Sequence, residues 1–403
     1  MATLRDLAAS RLNSPTPHLW WILGAAASVG SLLALRYSGS SLSAKEPQTI
    51  PSPRDAVLQL LERDQHARLP YPPDALPGAR DVSSPYGSIR VYEWGPESGE
   101  KVLLIHGIST PSIALASLAR KLVAKGCRVM LFDLFSRGYS SGPSPHTHRY
   151  DSALYTSQIL LCLSSSPLHW SQFTLIGYSL GGAIAADFTS YMPHLIANLV
   201  LVAPGGLIRT SHITWKSRML YSTSGIVPEG LVERLVAQRL WSGPETARSI
   251  EPEPDVQAEA GEKGGLRTAA VYASSTFTLL PEHPQCTASN VVDWQILHHK
   301  GFVPAFISSI RYAPVHDQHH RWRALGENVA MQRGPLKKVH LVLGETDPII
   351  VVDEVIEDAQ AALGQDNAVF HVIKGAGHNV AFENAEDIAR IVEAMLVQPG
   401  DAA

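Results

Sequence analysis

At 403 residues the chain is longer than an average domain, a length that one central parallel sheet with insertions absorbs in a single unit. Charged residues make up 17%, apolar residues 45% and the net charge is -4, a balance that argues against a polyanion-binding surface and so against nucleic acid as a partner. Cys127, Cys162 and Cys286 stand far apart without a C-x-x-C pair, so neither a zinc site nor a disulfide framework is expected, and no N-x-[ST] sequon occurs.

In chain order, residues 1–18 read as a tail and Leu19 to Leu35 (19–35) as a transmembrane anchor, a charge-free run between Trp20-Trp21 and Arg36-Tyr37. At a rise of about 1.5 Å per residue the run reaches about 25 Å, slightly short of the hydrocarbon core but flanked by residues suited to the interface. The expected localisation is a single-pass membrane protein. Arg5 and Arg11 before the run and Arg36 and Lys45 after it leave no charge asymmetry, so orientation and organelle stay open. Arg5 and Arg11 among Ser and Ala also fit a mitochondrial-type leader, although Asp6 counts against it, and a cleaved secretory signal fits less well. Residues 36–87 read as a linker rich in Ser and Pro, with a short helix from Asp55 to Arg68.

From residue 88 the pattern changes. Ile89 to Trp94, Val102 to Ile105, Arg128 to Phe132, Phe173 to Ile176, Leu199 to Val202, Val339 to Leu343 and Val369 to Ile373 are short apolar strands separated mostly by helical stretches. In the first βαβ unit Thr110 is expected to cap a helix with Pro111 at its first position, and Gly126 to end it. The last helix carries Ile388, Ile391, Val392 and Met395 at helical spacing. Alternation of this kind predicts an α/β fold with a mostly parallel central sheet flanked by helices, built from residues 88–204 and 335–403. Residues 205–334 break the alternation and read as an inserted, mainly helical lid. Trp215, Met219, Tyr221, Leu231, Leu235 and Leu240 are expected to serve its packing, and Glu251 to Gly265 to form a mobile loop.

The chemistry concentrates at three strand ends. Gly177-Tyr178-Ser179-Leu180-Gly181 lies between an apolar strand and a small-residue helix, where a sharp turn strains the central residue and demands small neighbours two positions away. Asp347, in Gly344-Glu345-Thr346-Asp347-Pro348, and His378, in Gly375-Ala376-Gly377-His378-Asn379, follow later strands, giving the order Ser, Asp, His. Glu345 and Asp353 are the fallback acids. The amides of Ile108, after Leu104-Ile105-His106-Gly107, and of Leu180 are the expected oxyanion donors. His106 reads as a brace for its loop rather than a catalyst. His316, His319 and His320 with Asp317, and the His298-His299 pair, read as packing or solvated residues rather than a metal site. No phosphate loop or dinucleotide fingerprint appears, so no organic cofactor is expected.

With these motifs in place, residues Ser88 to Val397 resemble the α/β-hydrolase superfamily of lidded esterases, lipases and carbon-carbon hydrolases. The stretch Asp133-Leu-Phe-Ser-Arg-Gly-Tyr-Ser is similar to that family's D-x-x-G-x-G-x-S loop, with Ser136 in place of the first glycine and Asp133 structural. The resemblance implies a serine hydrolase that cleaves a carboxylic ester or thioester of a small apolar substrate, with Ser179 as nucleophile, His378 as base and Asp347 as its orienting acid. Asn379 stands where carbon-carbon hydrolases often carry Trp, which ranks that reaction, like acyl transfer, behind ester cleavage. A non-catalytic binding module on the same fold is the alternative of a different class.

Overall fold

The computed structural model describes residues 48–213, 215–225, 227–241 and 276–396. The anchor at 19–35 and the loop from Glu251 to Gly265 lie outside the described residues. Among the described residues no helix is long and apolar enough to cross a membrane.

Eight strands form one sheet: β1 (Ala79–Ser84), β2 (Gly87–Trp94), β3 (Lys101–Ile105), β4 (Arg128–Phe132), β5 (Phe173–Tyr178), β6 (Ile196–Val202), β7 (Val339–Gly344) and β8 (Ala368–Ile373). Their spatial order is β8-β7-β6-β5-β3-β4-β2-β1; β1 and β2 run antiparallel to their neighbours and all other pairs are parallel. Strands covered on both faces need continuous apolar runs, and β5 is buried along its whole length. Burying each such Leu or Ile contributes about 1.5–3 kcal/mol.

Helices α1 (Ala116–Ala124), α2 (Ser152–Ser164), α3 (Leu180–Tyr191), α8 (His319–Ala330), α9 (Val352–Leu363) and α11 (Ala385–Leu396) cover this sheet. The chain steps from β3 to β4 in one direction, then back past β3 to β5 and onward. Right-handed crossovers therefore put α1 on one face and α2, α3, α8 and α9 on the other. The packing agrees: α1 lies against α11, while α3 contacts α2 and α8, and α8 contacts α9. The direction reverses between β3 and β5, and in such sheets ligand sites generally lie beyond the carboxyl ends of the strands at that switch point. Between β6 and β7 the chain also forms α4 (Trp215–Leu220), α5 (Glu229–Leu240), α6 (Ala288–His298) and α7 (Phe302–Tyr312), and the short α10 (Val380–Glu383) precedes α11. A separate apolar cluster joins α5, α6 and α7 through Val232, Val236, Val292, Phe302 and Phe306.

Several expectations need correction. The stretch read as linker holds β1, paired with β2 from Ala79↔Tyr92 to Ser84↔Gly87, and the fully buried Tyr71, whose hydroxyl reaches Tyr92 and Asp133. A single helix from Asp55 to Arg68 is replaced by the short turns Pro53–Ala56, Leu58–Leu60 and Arg63–His66. Thr110 caps no α-helix: a 3-10 turn, Ser112–Leu115, precedes α1, and the Ser112 amide donates to the Asp133 carboxylate (3.0 Å). Gly126 does end α1, with φ 88. Inside the stretch read as lid, α8 is part of the layer over the sheet. Trp215, at 69% exposure, and Met219, Leu231 and Leu235 face solvent, whereas Tyr221 and Leu240 pack on the separate cluster of α5, α6 and α7. On α5 the buried stripe is Val232 and Val236, one position along from Leu231 and Leu235.

Candidate active site

Strand register brings the three motif loops to one rim. Ile105 of β3 lies beside Gly177 of β5, Tyr178 beside Val202 of β6, Val202 beside Val342 of β7, and Gly344 beside Ile373 of β8. Ser179, Asp347 and His378 each follow within a few positions, so side chains far apart in sequence meet at one rim.

Ser179 sits between β5 and α3 with φ 54 and ψ -116, a conformation that L-residues avoid. The turn is tight enough that a Cβ on Gly177 would overlap the Gly181 carbonyl, and one on Gly181 would overlap the Ile105 carbonyl. Small residues at both positions are therefore a steric requirement of the turn. Its effect is to hold the Ser179 hydroxyl out of the sheet, 3.0 Å from His378 Nε2. His378 Nδ1 lies 2.8 Å from Asp347 Oδ2, while Asp347 Oδ1 accepts from the amides of Ile349 (2.8 Å) and Ile350 (2.9 Å). Beside a carboxylate, Nδ1 is the donor, which leaves Nε2 as the acceptor facing the serine hydroxyl. The Asp347 side chain is fully shielded and that of His378 is 15% exposed, so the row runs from a dry end to an open one. Such a chain can take the hydroxyl proton as Ser179 attacks a carbonyl and return it to a leaving group. Of the fallback acids, Glu345 accepts instead from the Gly375 amide (2.8 Å), and Asp353 lies in the first turn of α9.

The surroundings are apolar and aromatic. The Tyr178 ring lies 5.6 Å from that of His378 and edge-on to Phe382, which in turn meets Phe277. Tyr178 and Asn379, neither foreseen as neighbours, meet through the Tyr178 hydroxyl and Asn379 Oδ1 at 3.4 Å.

The two expected oxyanion donors belong to different elements. Leu180 opens α3, where its amide belongs to the free helix start. Ile108 follows Gly107, whose position for a Cβ would be 3.5 Å from the Ser179 Cβ. The buried His106 fixes the intervening peptide, with Nδ1 2.7 Å from the Gly107 carbonyl and Nε2 accepting from the Leu134 amide at 2.8 Å. Among the described residues all peptide bonds are trans, so a carbonyl held by His106 turns the Ile108 N–H of the same peptide the opposite way. Burial pushes the His106 imidazole down to about 3, which keeps it neutral and in the tautomer both bonds need.

The loop after β4 supports the same region. Asp133, fully buried, accepts from the amides of Ser112 and Tyr139, and burial raises its pKa. Ser136 takes φ 56 where the family pattern has glycine, and its hydroxyl meets Tyr150 at 2.7 Å. Of the other histidines, His299 is buried, accepts from the Gly301 amide and faces the Ser140 carbonyl at 2.9 Å; burial holds it at about 4. His319 lies 3.6 Å from Asp358.

A model of the alpha/beta hydrolase family matches residues 102–391. The chain is 32% identical over 109 residues to a serine hydrolase-like protein of Dictyostelium discoideum, covering 27% of this chain and 29% of that one. It is 30% identical over 129 residues to a serine hydrolase-like protein of Danio rerio, covering 31% and 37%. The match thus spans about a third of the length of these curated relatives. Among solved structures, a putative lipase of Acinetobacter baumannii superposes with a TM-score of 0.54 at 17% identity, over 88% of this chain and 97% of that one. A membrane phospholipase A gives 0.52 at 18% identity, over 93% and 97%. At these identities the likeness is one of fold.

Proposed function

Because the chain belongs to the alpha/beta hydrolase family, we propose that it is a serine hydrolase cleaving a carboxylic ester or thioester of an apolar substrate. The observation that carries this reading is the continuous hydrogen-bonded row from Ser179 through His378 to Asp347, at 3.0 and 2.8 Å. Ser179 Oγ attacks the acyl carbon while His378 Nε2 takes its proton. The oxyanion settles on the amides of Ile108 and Leu180, and His378 then protonates the departing alcohol or thiol. Water, deprotonated by the same imidazole, releases the acid from the acyl-enzyme. Asp347 holds the tautomer and stabilises the imidazolium. An apolar acyl group suits the rings of Tyr178, Phe382 and Phe277 beside the histidine.

A fluorophosphonate probe tests the reading directly. Labelling of the wild type is expected, with none in Ser179→Ala and strong loss in His378→Ala; a folded wild type that stays unlabelled returns the chain to the binding-module reading. A panel of p-nitrophenyl esters, an acyl thioester and a vinylogous diketone then ranks the reactions, and faster turnover of the diketone than of any ester would make carbon-carbon cleavage the better assignment. The run Leu19 to Leu35 supports a membrane tether for this activity. Alkaline carbonate extraction is expected to leave the full-length chain in the membrane pellet, and its release would remove the tether.

A further inference from the structure

Three successive carbonyls of the loop carrying the proposed oxyanion donor are each gripped by a side chain. His106 holds that of Gly107 from within the core. Arg137 Nε donates to that of Ile108 at 2.6 Å, and Gln295 Nε2, from α6, to that of Ser109 at 2.9 Å. Arg137 then continues outward. Its Nη1 donates to the Ser136 carbonyl (3.3 Å), its Nη2 to Ser309 Oγ (3.3 Å), and its guanidinium carbon lies 5.4 Å from the centroid of the Phe302 ring. Both Ser309 and Phe302 belong to lid helix α7.

The guanidinium is fully buried, and among the described residues no carboxylate pairs with it; its partners are carbonyls, a hydroxyl and an aromatic face. A buried charge without a counter-ion is expensive, and a well-packed apolar side chain fills such a space at lower cost. Packing alone therefore does not account for an arginine here. A rigid fork that reaches two elements at once does, because lysine offers a single point donor.

We infer that Arg137 is a positioning residue that couples helix α7 to the Ile108 carbonyl, one peptide beyond the proposed oxyanion donor, and so holds the residue bearing that donor in place while α7 is docked. The inference rests on the serine-hydrolase reading and adds to it a residue that touches neither substrate nor triad. Release of α7 frees the outer end of the fork, and the Ile108 carbonyl loses its anchor.

The test compares wild type, Arg137→Lys and Ser309→Ala of the full-length chain, with active sites counted by fluorophosphonate labelling and folding checked by thermal melting. For Arg137→Lys, kcat per labelled site on p-nitrophenyl butyrate is expected to fall about 10- to 100-fold with KM within about threefold, since losing a whole oxyanion donor costs about 100- to 1000-fold. Ser309→Ala keeps the bond to Ile108 and is expected to lose about 3- to 10-fold, a bounded fraction of that effect. The specific readout is the rate ratio of the oxygen ester to its thiono analogue. Sulfur is a poorer acceptor from backbone amides, so the ratio shrinks only where the oxyanion site itself is disturbed. Unchanged kcat and an unchanged ratio in both folded variants would overturn the role of Arg137 while leaving the hydrolase reading intact; if Arg137→Lys fails to fold, Ser309→Ala decides alone. A folded wild type that resists labelling would overturn both.

Discussion

Ser179 and Ser136 hold nearly the same left-handed φ, 54 and 56, on turns that follow β5 and β4, the two strands flanking β3. Beyond that they diverge. The Ser179 hydroxyl emerges at the rim against His378, and its turn is enforced by backbone packed where two glycines leave no room. Ser136 is fully enclosed and spends its hydroxyl on Tyr150. A left-handed φ therefore serves two purposes. At the first turn it turns the hydroxyl toward His378, whereas at the second it is a tolerated departure from glycine that other contacts hold in place.

The largest expected effect separates the two residues outright. Ser179→Ala should lower kcat by about a millionfold if the proposed role holds, as loss of the nucleophile does in serine proteases. Retention of more than about a hundredth of wild-type turnover would mean the strained turn aims nothing. Asp347→Asn comes next. It keeps the shape but favours the wrong imidazole tautomer, so about a 10,000-fold fall in kcat with labelled protein still folded is expected. A loss below about tenfold would shift the orienting role to another acid, Glu345 being nearest in sequence.

Gly181→Ala probes the walls of the first turn. The added methyl meets the Ile105 and His106 carbonyl oxygens, which are backbone and cannot swing away. A cost of about 3 kcal/mol or more is expected, and for a chain of this size a drop of about 4 °C or more in melting temperature. Melting within about 2 °C of wild type would show that the elbow is looser than its contacts imply.

His106 joins the two turns, since it grips Gly107 beside Ser179 and the Leu134 amide before Ser136. Its folded pKa of about 3 lies below the unfolded value of about 6.5, so the unfolded chain takes up the proton first as pH falls. Stability from its neutral form is complete above pH ~6.5 and is lost toward pH ~3, at a limiting slope of about 1.4 kcal/mol per pH unit. Denaturant titrations between pH 7 and 4.5 should show a shallower acid decline in His106→Asn than in wild type. An unchanged slope would assign the decline elsewhere, with His299 the next buried candidate.

Strands β2 to β8 were legible because each is a short apolar run bounded by turn residues, and the meeting of Ser179, His378 and Asp347 at one rim because each stands just past such a run. The edge strand β1 was not. Its sequence Ala-Arg-Asp-Val-Ser-Ser alternates exposed and half-buried positions, with no apolar stripe to announce it among the prolines. Helix α5, in the stretch read as a lid, misled in a different way: Leu231/Leu235 and Val232/Val236 both satisfy helical spacing, and only tertiary packing decides which stripe turns inward. Arg137 carried no reading of its own, because an arginine within a loop motif gives no sign in the sequence of being buried; its place four residues after Asp133, itself read as structural, was the signal that could have found it.

The smallest effect is the one that tests the second turn on its own terms. Ser136→Gly relieves a left-handed residue, a gain of about 1–2 kcal/mol. Against that stand the extra freedom of glycine in the unfolded chain, about 0.5–1 kcal/mol, and the lost hydrogen bond, about 0.5–1.5 kcal/mol. Tyr150 keeps a second partner, the Pro143 carbonyl at 2.9 Å, so its donor does not become an orphan. The opposing contributions nearly cancel, and melting within about 4 °C of wild type is expected, with labelling of Ser179 retained. A loss beyond about 3 kcal/mol would place the value of Ser136 in its side chain, packed so closely that a Cβ on Gly142 or Gly301 would strike its hydroxyl oxygen. The serine would then be required at that position, and the two turns would be alike after all.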